Sequence, residues 1–242
     1  MEELPLVTIA ISTIMLATFL FTSNFLEKMF NPEAESYLKD YERLFGFVPA
    51  RPKMYSFITY TFIHADFFHL IGNLIFFLIV GIALENRIGK IPFLAIYISS
   101  GCTAISFDIV QRILLGISME APFVGASGSI FGLFAVASLT RPLEKIPTYL
   151  VILSFLPFLQ LLLFLPISGQ FSQMFLFLAL PIVFLAFVFL PKNLPFFTAT
   201  ILFIISWIFY FFFNISPTVS HLGHLGGVIG GFLSMLLFPK ES

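Results

Sequence analysis

The amino-acid sequence predicts an all-α, polytopic membrane helix bundle, and three observations carry that expectation. Hydrophobic residues make up 59% of the 242-residue chain and charged residues only 10%, whereas a soluble domain runs at about 45–50% apolar and about 25% charged. Phenylalanine alone supplies 35 residues and mean hydropathy is +1.02, so a soluble fold would have to turn large apolar areas to water. Apolar runs also recur at the roughly 20-residue length needed to cross a bilayer core, where backbone groups find no water to bond. These features exclude a water-soluble enzyme and a disordered or collagen-like chain. One cysteine, Cys102, leaves no internal disulfide and no Cys-based zinc site. A net charge of −1 offers no basic face, so nucleic acid is not an expected partner.

The first apolar run spans Leu4 to Phe25. Its flank Met1-Glu2-Glu3 is not basic and no clear small-residue cleavage site follows, which favours a retained span over a removed signal peptide. Residues 26–56 break the pattern with Pro32, Pro49, Pro52 and ten of the 25 charged side chains, and read as a long polar loop. Apolar runs resume at Phe67–Leu84, Ile91–Leu115 and Val124–Thr140. From Ile146 to Pro191, and again from Asn193 to Pro239, there is no Asp, Glu, Lys or Arg. Each stretch accommodates two spans, divided at Ser168-Gly169-Gln170 and at Asn214-Ile215-Ser216-Pro217. The expectation is about eight transmembrane helices in one domain over residues 1–242.

Lys and Arg in short loops set orientation. Arg87 with Lys90, Arg141 with Lys145, Lys192, and Lys240 fall in every second connection or at the carboxyl end, and the alternate short connections carry none. That pattern puts both termini in the cytoplasm of a multi-pass protein of the cell membrane. Lys28, which follows the first span, runs against it; the four later positions agree with one another.

An ionisable residue within a span is costly and is a functional hypothesis by default. The chain has four histidines, His64, His69, His221 and His224, in two short clusters, each at the start of an apolar helix. His69 and Asn73 are four residues apart and share one helix face; both can donate hydrogen bonds to an oxygen on which charge develops. They read equally as polar residues satisfied at a water boundary. Gly125-Ala126-Ser127-Gly128 places Ser127 at or near a helix start, where backbone N–H groups lack intrahelical partners. Gly128 and Gly132 line one face of the serine helix, and Gly223, Gly227 and Gly231 line one face of the helix of the second histidine pair. Such stripes are common packing devices in membranes. They also allow the close approach that a serine–histidine hydrogen bond between helices needs, about 2.6–3.2 Å. A zinc site built from the four histidines with Asp66 is an alternative, but no HExxH spacing supports it. Asp108 and Arg112, at i and i+4, read as an ion pair.

In these residues the sequence resembles the rhomboid family of intramembrane serine proteases. The match is carried by His64-x4-His69-x3-Asn73, by Gly125-Ala126-Ser127-Gly128, and by His224-Leu225-Gly226-Gly227 with Gly231, in the family's order, together with Glu85-Asn86-Arg87-Ile88-Gly89. The resemblance implies a rhomboid-like core, with extra helices within residues 146–217, that hydrolyses peptide bonds in or near transmembrane helices of other membrane proteins. Ser127 would be the nucleophile and His224 the general base. His69, Asn73 and the Ser127 backbone N–H would hold the oxyanion, with no metal and no cofactor. His224 is preferred to His221 because only His224 has glycines at +3 and +7. Partners would be transmembrane substrates and the lipid bilayer, and the site would open to the non-cytoplasmic side.

The chain departs from the family pattern in three places. Tyr55-Ser56 stands where the first loop usually has Trp-Arg. Phe131, able to pack on the His224 ring, stands where Tyr is frequent. Room for three spans, where one is usual, separates Ser127 from His224. One or three intervening spans return the chain to the same side, and two do not. An odd number is therefore a requirement of the mechanism. Other readings are a catalytically inactive relative that binds or routes membrane proteins, and a transporter, for which no internal repeat is seen.

Overall fold

A computed structural model describes residues 4–24, 37–147, 191–201, 204, 208 and 219–237. Over these the chain is a helix bundle. Helix α1 is Leu6–Thr22, α2 Leu38–Phe45 and α3 Ser56–Thr59, the last running into a 3-10 turn at Tyr60–Phe62. Helices α4, Phe67–Ile88, and α5, Lys90–Leu115, are long and apolar enough to span a bilayer. Helix α6 is Ser127–Thr140 and α7 is His221–Met235. The spans expected at Leu4–Phe25, Phe67–Leu84 and Ile91–Leu115 match α1, α4 and α5, while the serine helix starts at Ser127, three residues later than expected. The paired spans expected within residues 146–217 lie mostly outside the described residues, and with them the count of eight.

Local chemistry sets the helix ends. Asp66, with extended backbone, caps α4 by accepting the His69 N–H at 2.9 Å. Gly89, at φ +85°, turns the chain sharply from α4 into α5, a conformation a side chain would strain. Helix α5 ends at Gly116 in the left-handed region, where the N–H groups of Gly116 and Ile117 both return to the Arg112 carbonyl. Ser220 caps α7 by accepting the Gly223 N–H at 3.1 Å.

Glu85, 1% exposed, anchors α1 to α4. Its carboxylate accepts the N–H groups of Val7 and Thr8, at 2.9 and 2.7 Å, and the Thr8 hydroxyl at 2.8 Å. Two of the N–H groups that the start of α1 leaves unpaired are thereby satisfied. Close beside them, Gly81 of α4 leaves room for Thr8 and for nothing larger at its own position.

Helices α5 and α7 run antiparallel with a constant register. Gln111 meets Leu222, Phe107 meets Gly226, Thr103 meets Gly230 and Ser99 meets Ser234, each step moving four residues along both helices. Helices α6 and α7 run parallel, because Gly227 lies on Gly128 and Gly231 on Gly132. A Cβ on Gly227 would stand 2.0 Å from the Gly128 carbonyl oxygen, so the two backbones touch directly. Both helices start at the same face of the bundle, as the parity condition demands. Phe76 of α4 packs on Phe131 and Phe134 of α6, with ring centroids 5.6 Å apart in each case, at the centre of the apolar core.

One feature has no counterpart in the expected all-helical layout. Strand β1, Lys145–Pro147, pairs antiparallel with β2, Asn193–Pro195, in the register Lys145 with Pro195, Ile146 with Leu194 and Pro147 with Asn193. This ribbon brings together residues that lie 46 to 50 positions apart in the sequence. Beyond it residues 196–201 are helical and fold onto α6, where the Ser138 hydroxyl bonds the Phe196 carbonyl and the Thr200 hydroxyl.

Candidate active site

The segment leading into α6 is tied down before it reaches Ser127. Phe47 and Phe123 exchange backbone hydrogen bonds of 2.9 and 2.7 Å, and the Gly125 N–H donates to the Tyr60 carbonyl at 2.9 Å. The Tyr60 ring stacks on Phe123 at 5.1 Å. Farther back, Arg112 donates to the Ser118 and Ala121 carbonyls at 2.7 and 3.0 Å while pairing with Asp108 at 2.6 Å. The pair expected from the i, i+4 spacing is thus also an anchor for the loop before the serine.

Ser127 is the first residue of α6, and Ala126, its N-cap, provides no side-chain acceptor. The leading N–H groups of the helix therefore have no side-chain cap and can serve an anion. The Ser127 Oγ lies 2.9 Å from His224 Nε2, across 97 residues of sequence. His224 is 5% exposed, on the second turn of α7, and its ring packs against Phe131 with centroids 4.9 Å apart and planes inclined by 60°. Gly227 makes this approach possible, because a Cβ there would run into the Gly128 backbone; a Cβ on Gly128 would instead meet Ala104 of α5 at 2.4 Å.

His69 sits over the serine loop, its ring 2.7 Å from where a Cβ on Gly125 would stand. Gly125 has φ +109°, so both its backbone conformation and the ring above it require glycine. His69 and His224 are close enough to interact electrostatically. Asn73 is 6% exposed and spends one amide N–H on the His69 carbonyl at 2.8 Å, leaving the second hydrogen of the group.

The remaining histidines flank this centre. His64, 1% exposed, stacks edge-on against His69 at 5.2 Å, and His221, 3% exposed, lies 6.5 Å from the His224 ring. The His221 ring is thus adjacent to the serine–histidine contact, whereas His224 makes it. Among the described residues no three His, Cys, Asp or Glu side chains converge as metal ligands. Tyr55 and Ser56 serve the first loop itself: the Tyr55 hydroxyl donates to the Leu44 carbonyl at 3.0 Å and the Ser56 hydroxyl to that of Lys53 at 2.7 Å.

Two supporting residues escape sequence reasoning. Gln111 bonds the backbone on both sides of the start of α7, and Ser220 caps that helix. The one available signal is an uncharged amide in the last turn of a predicted span, beside the flagged Asp108 and Arg112.

Fold and site together define a class: a membrane helix bundle holding a serine and a histidine in contact, with further polar donors gathered at the helix starts. Residues 51–241 match the family model of the rhomboid domain, and the chain belongs to the rhomboid family. Rhomboid-like protein 11, chloroplastic, of Arabidopsis thaliana is 38% identical over 90 residues, covering 37% of this chain and 30% of that protein. The Bacillus subtilis (strain 168) protein named "Putative rhomboid protease YdcA" is 36% identical over 87 residues, 36% of this chain and 41% of that one. Rhomboid protein 1, mitochondrial, of Saccharomyces cerevisiae is 30% identical over 91 residues, 38% of this chain and 26% of that one. The matches span less than half the length of each relative. No solved structure matches the chain.

Proposed function

We propose that the protein is an intramembrane serine endopeptidase that cleaves membrane proteins in or near their transmembrane helices. The observation that carries this reading is the 2.9 Å contact between Ser127 Oγ and His224 Nε2. Serine is a weak nucleophile until an adjacent base takes its proton, and imidazole is the side chain suited to that near neutrality. With the ring proton on Nδ1, Nε2 accepts the Ser127 proton as Oγ attacks the scissile carbonyl. The oxyanion then forms beside the Ser127 N–H, His69 and the free amide hydrogen of Asn73, donors that strengthen as charge develops. His224 returns the proton to the leaving amine. Water, activated by the same imidazole, then hydrolyses the acyl-enzyme.

Helix lengths support cleavage within the bilayer. Helix α6 has 14 residues, about 21 Å at the standard rise, against a hydrocarbon core of about 30 Å. A serine at its first residue lies below the membrane surface and is reached by water through the polar helix starts. The loop charges add that both termini are cytoplasmic and that the site opens to the opposite side of the cell membrane.

The test is cleavage of a fluorescently labelled transmembrane substrate in liposomes, with fluorophosphonate labelling of Ser127 read in parallel. Ser127→Ala and His224→Ala are expected to abolish both signals, while His221→Ala retains cleavage. Cleavage that survives Ser127→Ala would defeat the mechanism. A wild-type protein that neither cleaves nor labels would instead favour a binding or routing role.

A further inference from the structure

The contact between α6 and α7 is backbone on backbone, Gly227 on Gly128 and Gly231 on Gly132. At these glycine positions the surface permits close approach but offers no side-chain knob to stop one helix sliding or rotating on the other; the His224 ring, packed on Phe131, is the group to be placed and not the device that places it. The 2.9 Å separation of His224 from Ser127 needs α7 fixed in both respects. Directional bonds to α7 come from its other neighbour, α5. Gln111, 1% exposed, donates its Nε2–H to the Val219 carbonyl at 2.9 Å and accepts the Leu222 N–H at its Oε1 at 2.8 Å. One amide thus grips the chain on both sides of the first residue of α7. The Leu222 N–H is one of the helix's unpaired leading donors, and Ser220 takes that of Gly223. At the far end Ser99 and Ser234 share a hydrogen bond of 2.6 Å. These polar contacts occupy the two ends of the four-residue register, whose middle steps are Phe107 on Gly226 and Thr103 on Gly230.

We propose that Gln111 is a positioning residue for the Ser127–His224 pair, setting the height and rotation of α7 through its backbone. Its effect on turnover rests on the protease reading above, whereas its effect on the geometry does not. His224 is two residues beyond the gripped Leu222 N–H, so little freedom separates the clamp from the imidazole. Gln111 acts through the backbone at Val219 and Leu222 and not on the reacting side chains. Its loss is therefore expected in kcat, with substrate affinity kept.

The experiment uses the full chain in liposomes and compares wild type with Gln111→Met, which keeps the length and loses both bonds, and Gln111→Glu, which keeps only the acceptor for Leu222. A misplacement near 1 Å costs on the order of 100-fold. Gln111→Met is expected to lose about that in kcat with KM unchanged, and Gln111→Glu to recover part of it. Independently of turnover, the ¹⁵N resonances of His224 report the contact with Ser127. Ser127→Ala should move them in the wild type and leave them nearly still in the Gln111→Met background. An equal response in both backgrounds overturns the proposal, whatever the activity. A kcat loss with that equal response, or a fall in kcat matched by a rise in KM, overturns it as well. If the wild type fails to cleave and to label, the protease reading falls, and the histidine resonances still decide whether Gln111 positions His224.

Discussion

Replacing Gly227 with alanine adds one methyl where a Cβ would lie 2.0 Å from the Gly128 carbonyl oxygen and 3.0 Å from its Cα. Ordinary contact needs about 3.4 Å or more, so α6 and α7 must separate by about 1.4 Å at this level. No flexible side chain can yield instead, because the opposing atoms are backbone. A displacement of that size carries the Ser127–His224 contact from 2.9 Å beyond hydrogen-bonding range. Overpacking of this kind costs about 1–3 kcal/mol of stability, and the lost alignment about 100-fold in rate. The assay is the rate of fluorophosphonate labelling at Ser127 in liposomes, with thermal unfolding recorded on the same samples. Gly226→Ala is the internal comparison. The same methyl there meets Phe107 Cβ and Cγ of α5 at 2.7 Å, a shortfall of about 0.7 Å in place of 1.4 Å, and on the side of α7 turned to α5 and not to the Ser127 helix. Labelling should fall far more in Gly227→Ala than in Gly226→Ala. Equal losses, or wild-type labelling in Gly227→Ala, would refute the argument that backbone contact sets the distance.

Three further outcomes are expected. Thr8→Val removes the hydroxyl bond to the buried Glu85 carboxylate and should cost about 1.5–3 kcal/mol in denaturant unfolding, with labelling of the folded fraction unchanged. Arg112→Met leaves Asp108 buried without its partner and frees the Ser118–Ala121 turn, so a loss of about 3–5 kcal/mol is expected; Asp108→Asn in the same chain should restore part of it. Replacing residues 148–192 by Asn-Gly closes β1 onto β2 as a two-residue hairpin in the existing register. That shortened chain should fold and still label at Ser127, and an unlabelled but folded product would show that the excised stretch supports the site.

Much of the arrangement is legible in the chain because membranes make polar residues conspicuous. Four histidines in two clusters and two glycine stripes stand out against a background of Phe, Leu and Ile, and glycine spacing alone indicates which helix faces can touch. The pairing of Asp108 with Arg112 is local, spaced four residues apart, and so is readable in one dimension. Glu85 is different. Its motif can be noticed, but its partners Val7 and Thr8 lie more than 70 residues away. Gln111 is likewise silent, since nothing in the sequence relates it to Val219 and Leu222. The β ribbon escapes for a third reason: three residues that include proline carry no alternation, and their partners lie more than 40 residues away.

The 97 residues that separate the serine from its histidine also matter in time. A ribosome adding about 5–20 residues per second needs roughly 5–20 s to pass from one to the other. On the proposed assignment the nascent chain carries a nucleophile without a base throughout that interval, in a membrane crowded with other newly made helices. Premature termination anywhere in the interval yields an inert product. On the same assignment the serine gains its base only when α7 docks against α5 and α6, so synthesis of α7 acts as the safety catch.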